Sequence, residues 1–295
     1  MKKIFAAMLA LLMIATLCAC SEDNKNEVDL DKYKQEEVVI EYVERETKDA
    51  AGNVLYTEKF YFETLDTESV AITGYTGPDK AHTLYIPKEL DVSDPNDTTK
   101  TDVRSVTTIA SEAFYYCSKI NAIEFPETVT TIENYAFAGC ALIASLEIPA
   151  NVTTIGDGAF FGCTALSSLT FAEGSKLETV GKYAFADCVA LPSVSLPTSL
   201  KSIDDGAFKD CEELVSVTIA EGAQTIGKGA FISCKKLASL TLPASLTSIG
   251  DFAFSESEAL YANGVVVPEG SYAAAYVEAM DLDDAPIVAG GEEEA

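Results

Sequence analysis

A fifteen-residue phrase recurs seven times between Ile109 and Ser257, and no other property of the chain restricts its fold so strongly. Its cleanest copy runs from Ile155-Gly156-Asp157-Gly158-Ala159-Phe160 through Cys163 and Leu166 to Leu169. The Ala-Phe pairs end at Phe114, Phe137, Phe160, Phe185, Phe208, Phe231 and Phe254, 23 residues apart except for 25 between Phe160 and Phe185. An Ile or Val precedes each Phe by five residues (Ile109 to Ile249), and an Ile or Leu follows it by six (Ile120 to Leu260). A fixed period of this length marks a solenoid, because one such unit cannot bury its apolar face alone and stacked units share a core.

Each unit also carries a short alternating segment, as in Leu169-Thr170-Phe171, Val194-Ser195-Leu196, Val217-Thr218-Ile219 and Leu240-Thr241-Leu242. Alternation predicts a short strand with one buried face. Pro126, Pro149, Pro197 and Pro243 close several of these strands, since proline has no N–H to donate. Ala-Glu-Gly stands instead at 172–174 and 220–222, and the first of these coils holds the two extra residues, so a bulge is expected there.

The phrase Ile-Gly-x-x-Ala-Phe-x-x-Cys-x-x-Leu-x-x-Leu-x-Leu-Pro closely resembles the BspA-type leucine-rich repeat of bacterial surface proteins. The resemblance covers roughly Ser69 to Pro268. It implies an α+β repeat solenoid of short parallel strands, and a cell-surface protein of which some relatives are adhesins. The repeat residues are core residues, so they carry fold and not function.

Upstream of the solenoid, Lys2-Lys3 and the apolar run Ile4–Leu17 read as an export signal, and Leu17-Cys18-Ala19-Cys20 reads as a lipobox that makes Cys20 the lipidated N-terminus. The short acidic stretch Ser21–Asn24 resembles the surface-export signal of some gram-negative anaerobes. Five segments are expected: signal peptide 1–20, acidic tether 21–35, β-rich N-terminal cap 36–68, solenoid 69–264, and C-terminal cap with acidic tail 265–295. Val38–Val43 and Val54–Phe62 flank the turn-forming stretch Lys48–Asn53 and predict a β-hairpin, needed to cover the open end of the stack. Val70–Tyr75 and Leu84–Pro87 read as a degenerate first repeat. Val265–Val267 predicts a last strand, and Ser271–Met280 a closing helix.

Chemistry-bearing residues are few. Six cysteines (117, 140, 163, 188, 211 and 234) each follow a repeat Phe by three residues and read as buried free thiols in a ladder, without the paired spacing of a zinc site. His82 is the one histidine and reads as an exposed loop residue, so nucleophile–base pairs and zinc chemistry have little to draw on. Asp94–Asp97 and Asp281–Asp284 cluster oxygen ligands, but without the spacing of a calcium loop. No enzymatic activity, cofactor or resident metal is expected. The formal charge of −27, or −29 once Lys2 and Lys3 leave with the signal, disfavours nucleic acid and anionic membrane surfaces as partners.

What remains is the surface. Hydroxyl rows flank the strand leucines, among them Ser168, Thr170, Ser193, Ser195, Ser216 and Thr218, and a second row precedes each repeat Ile. Tyr115, Tyr116, Tyr135, Phe161 and Tyr183 occupy variable repeat positions and are candidate binding anchors. These residues predict a binding face for an extracellular protein. The alternative is an accessory lipoprotein that captures glycan or peptide for nutrient uptake. The membrane is touched only through the lipid on Cys20, placing the protein on the outer membrane and at the cell surface.

Overall fold

The computed structural model describes residues 42–48, 52–93, 101–257, 259–260 and 265–279, and the backbone of 288–289. The signal, Cys20, the tether, the Asp94–Asp97 and Asp281–Asp284 clusters and the acidic tail lie outside the described residues.

The chain winds as a β-solenoid whose coils repeat three ladders of backbone hydrogen bonds. One ladder joins two-residue strands in parallel, from Thr131–Ile132 through Thr154–Ile155, Thr179–Val180, Ser202–Ile203 and Thr225–Ile226 to Ser248–Ile249. The second joins the alternating segments, each with its apolar residues inward and its hydroxyls outward, as the pattern of two requires. The third was not anticipated. Each repeat Phe donates its N–H to the Ala before the next repeat Phe, at 2.7–2.8 Å from Phe114→Ala136 to Phe231→Ala253. The Ala-Phe segment is therefore a six-residue turn that stacks like a strand.

Inside, the repeat Phe side chains form a continuous column. Phe137, Phe160, Phe185, Phe208 and Phe231 lie face to face with their neighbours at 5.2–5.6 Å. Phe114 begins the column at 4.7 Å from Phe137. All six cysteines are buried beside it. The thiols of Cys140, Cys163, Cys188, Cys211 and Cys234 donate to the carbonyl of the repeat Phe one coil back, at 3.1–3.5 Å. Burial drives the thiols of Cys163 and Cys234 up to about 12.

The N-terminal end is closed by an antiparallel hairpin, β1 (Tyr42–Lys48) and β2 (Val54–Thr64), which continues through β3 (Ser69–Thr76). Lys48 belongs to β1 and pairs with Val54, so the strand runs into the stretch read as its turn, and the part of the expected strand before Tyr42 lies outside the described residues. β3 then pairs in parallel with β6 (Val103–Ile109), and β4 (His82–Tyr85) with β7 (Ile120–Glu124), which makes residues 69–85 the expected irregular first coil. Between them β5 (Glu89–Asp91) pairs antiparallel with β6.

His82 corrects the sequence reading. It is only 8% exposed, not a surface loop residue. Its Nδ1 donates to the Lys80 carbonyl at 3.0 Å, and its Nε2 lies 2.9 Å from the Tyr75 hydroxyl. Tyr75 donates to buried Glu58 at 2.6 Å, and Arg45 donates to the other Glu58 oxygen at 2.7 Å. Burial and the Glu58 bond hold the Tyr75 phenol far above its ordinary range. The Tyr75 ring lies 5.3 Å from Phe114, so this satisfied polar chain pins the hairpin to the first rung of the column.

At the other end Val265–Val267 pairs in parallel with Ser239–Thr241, and the helix Tyr272–Ala279 sets Tyr276 edge-on to Phe254 at 6.5 Å. Among the described residues helix is confined to that segment and the pair 259–260, so the α share of the fold is small.

Candidate functional site

Two surface features stand out, and they lie on different ladders. The first is the turn. Each turn needs the left-handed backbone region at two positions. One is the residue before Ala-Phe (Glu112, Tyr135, Gly158, Tyr183, Gly206, Gly229 and Phe252), and the other precedes the Cys position (Tyr116, Gly139, Gly162, Asp187, Asp210, Ser233 and Glu256). Glycine adopts this conformation at no steric cost. A bulky aromatic pays roughly 1–2 kcal/mol for it. Tyr116, Tyr135 and Tyr183 nevertheless sit there at φ near 55°.

Each of these rings lies over a glycine in the next coil. A Cβ on Gly139 would meet the Tyr116 ring at 2.7 Å, on Gly158 the Tyr135 ring at 2.4 Å, and on Gly206 the Tyr183 ring at 2.4 Å. The glycines are thus seats for the rings. Tyr116, Tyr135 and Tyr183 remain 52%, 43% and 46% exposed. Tyr115 meets Tyr116 edge-on at 4.5 Å, and its phenol is raised by burial and by that neighbour. Phe161, also exposed, stands two coils further along. All five aromatic candidates therefore gather on one turn edge over the first four repeats. The missing sequence signal was an aromatic followed by glycine at the equivalent position of the next coil: Tyr116 and Gly139 before the Cys, Tyr135 and Gly158 and then Tyr183 and Gly206 before Ala-Phe.

Beyond Tyr183 the same edge carries charged residues and glycines, until Phe252, 60% exposed, takes the position before Ala-Phe in the last repeat. Asp187 and Asp210 take the left-handed positions, and burial followed by the Asp210 charge raises the Asp187 carboxyl. Lys235 pairs with Glu212 and Lys236 with Glu213, both at 2.6 Å across one coil step. Such exposed pairs add little stability.

The second feature is a break in the strand face. The alternating strands form one sheet from 82–85 to Ser168–Phe171, and a separate sheet from Ser193–Leu196 onward. The sequence contains two causes. In the row before the strands, Ser167 donates to Ala144 (2.9 Å), Val215 to Pro192 (2.8 Å) and Ala238 to Val215 (2.9 Å), but Pro192 itself has no N–H to give. The two extra residues also lie here, between Phe171 and Leu177, in a turn closed by Ser175 N–H to the Ala172 carbonyl (3.1 Å). The expected bulge is thus a seam through the sheet.

The seam opens a cleft of about 520 Å³ lined by Thr170, Phe171, Gly174, Ser175, Ser193, Ser195, Pro197 and their neighbours. Ser168 and Thr170 stand on one edge strand and Ser193 and Ser195 on the other, all exposed. Ser216, half-buried, and Thr218 lie one strand further on and away from the cleft. The hydroxyl candidates and the aromatic candidates therefore form two surfaces and not one. Among the described residues no group of three or more His, Cys, Asp or Glu side chains is placed to hold a metal ion.

Solved structures show the same architecture. A leucine-rich cell surface protein of Faecalibacterium prausnitzii shares 25% identity at a TM-score of 0.56 over 76% of this chain. A leucine-rich repeat protein of T. pallidum shares 27% at 0.60 over 78%, and one of Eubacterium ventriosum 27% at 0.55 over 67%. The match spans 54% of the Faecalibacterium chain, 97% of the T. pallidum chain and 47% of the Eubacterium chain. No curated protein sequence matches. The model of the BspA-type leucine-rich repeat region matches residues 97–188 and 174–265 in six copies, more than half of the chain. With its turn, thiol and strand ladders accounted for, the chain belongs to the BspA-type leucine-rich repeat family.

Proposed function

We propose that this protein is a non-catalytic, lipid-anchored surface protein that docks an extracellular protein on its aromatic turn edge. One observation carries the reading. Tyr116, Tyr135 and Tyr183 occupy backbone positions where glycine would be cheaper, and they keep about half of each ring in solvent. Strain held at the surface without matching burial is what a binding surface retains at a cost to stability. Tyrosines seated among glycines also supply large, rigid, amphipathic contact area with few torsions to freeze, as in antibody paratopes. The description of the Faecalibacterium relative as a cell surface protein supports the location.

The test separates binding from folding. Candidate partners come from a screen of the chain against extracellular matrix proteins. Tyr135→Gly and Tyr183→Gly relieve the left-handed strain, so each stays within about 1 kcal/mol of the wild-type stability. Each weakens partner binding roughly tenfold or more, as loss of a tyrosine hot spot does. Binding unchanged in the double variant, with the fold intact, would remove the turn edge as the docking surface.

A further inference from the structure

We propose that the cleft at the seam is a saccharide site that takes a neutral sugar ring. It goes beyond protein docking on the turn edge and does not depend on it.

The chemistry of the lining selects the ligand. No charged side chain lines the cleft. Its polar side chains are the hydroxyls of Thr170, Ser175, Ser193, Ser195 and Thr198, beside the backbone of two strand edges that no ladder pairs with each other. These groups both donate and accept, which matches the adjacent hydroxyls of a sugar and offers nothing to an ionised ligand.

One wall is aromatic. The repeat position held by Phe171 is occupied by Ile148, Leu196, Ile219 and Leu242, each at most 3% exposed, and in the first repeat by Phe125, half-buried and edge-on to Phe137 at 5.6 Å. Phe171 is half-buried too, but among the described residues no other ring lies against it. Phe171 lines the cleft together with Pro197. A partly exposed ring beside a row of hydroxyls can hold a pyranose by its C–H face and its O–H edge at once.

An extended peptide is the competing ligand, since unpaired strand edges invite strand addition. The dimensions oppose it. Residues of the two edge strands still approach within 8 Å, Cα to Cα. A strand inserted between them needs about 9.6 Å, twice the strand spacing. A volume near 520 Å³ suits one or two sugar rings.

Saturation-transfer NMR on the full chain in detergent tests this with methyl glycosides of glucose, galactose, mannose and N-acetylglucosamine at millimolar concentration. A neutral Ser/Gly/Pro heptapeptide is the second arm. The expected result is transfer to the ring protons of at least one glycoside. That transfer disappears in Phe171→Ala and in Ser195→Arg, which fills the cleft from an exposed position, and persists in Tyr135→Gly. Should Phe171→Ala fail to fold, Ser195→Arg with an unchanged melting temperature decides alone. Transfer to no glycoside, transfer that survives Ser195→Arg, or transfer to the peptide that Ser195→Arg removes would each overturn the proposal.

Discussion

At the scale of single residues, the thiol rung shows how finely the coil is fitted. Ser257 takes the Cys position in the seventh repeat, fully buried, and its Oγ is without a hydrogen-bond partner among the described residues. The C–O bond is shorter than C–S by about 0.4 Å, and a hydroxyl needs a closer acceptor than the 3.1–3.5 Å at which the thiols reach the Phe carbonyls. Ser257→Cys is therefore expected to raise stability by about 1 kcal/mol, and Cys163→Ser to lower it by roughly 1–3 kcal/mol, measured by denaturant titration. The thiols themselves should be unreactive in the native state, and all six should appear on denaturation without reductant. Their protonation has a definite sign. Burial lifts the Cys163 thiol from 9.0 to about 12, so above pH 9 the unfolded chain releases a proton that the folded chain keeps. Stability then falls with rising pH across that window and is unaffected below it. Cys163→Ala should flatten this alkaline slope in melts between pH 8 and 11, and an unchanged slope would contradict the assignment.

Among the elements, the phenylalanine column is the central one. Phe160 has a ring on each face, at 5.4 and 5.3 Å, and no exposure. Phe160→Ala should cost about 3–5 kcal/mol, as large-to-small core changes do. Phe254 has one stacked neighbour at 5.6 Å and, among the described residues, its other ring contact is the edge of Tyr276 at 6.5 Å. Phe254→Ala should cost less, and equal midpoint shifts in urea would argue against a stack that weakens towards its end. The N-terminal end is held differently. There the Arg45–Glu58–Tyr75–His82 chain is added to apolar packing, with the Tyr75 ring at 5.3 Å from both Phe60 and Phe114.

The whole molecule is a stack with three ladders and two surfaces of distinct chemistry. The seam falls at the repeat that holds Tyr183 and Pro192, and between Tyr183 and Phe252 the turn edge lacks exposed aromatic rings among the described residues. Anchoring belongs to this scale. With Cys20 acylated, Cys20→Ala should leave the protein unprocessed or released and free of labelled fatty acid. Label that persists on the variant would disprove the anchor. Protease added to intact cells should cleave the wild-type protein, and protection until lysis would place it behind the outer membrane.

The period of 23 residues was sufficient to determine the coil, the inward Phe, Cys and Leu positions and the parallel pairing. Those follow from one unit repeated against its own copy, and any apolar residue recurring at the stacking period must meet its equivalent. The two extra residues after Phe171 also marked where the regularity fails. Only the tertiary structure decided the rest. Whether Tyr135 is a surface ornament or a strained ring on a glycine seat depends on Gly158, 23 residues away and silent in composition. His82 looked like a loop residue until β3 brought Tyr75, bonded to Glu58 of β2, against it. Pro192 ends a hydrogen-bond row only because its coil places it beside Ser167. In each case the local sequence sets what a residue can do, and the neighbouring coil supplies the group that decides what it does.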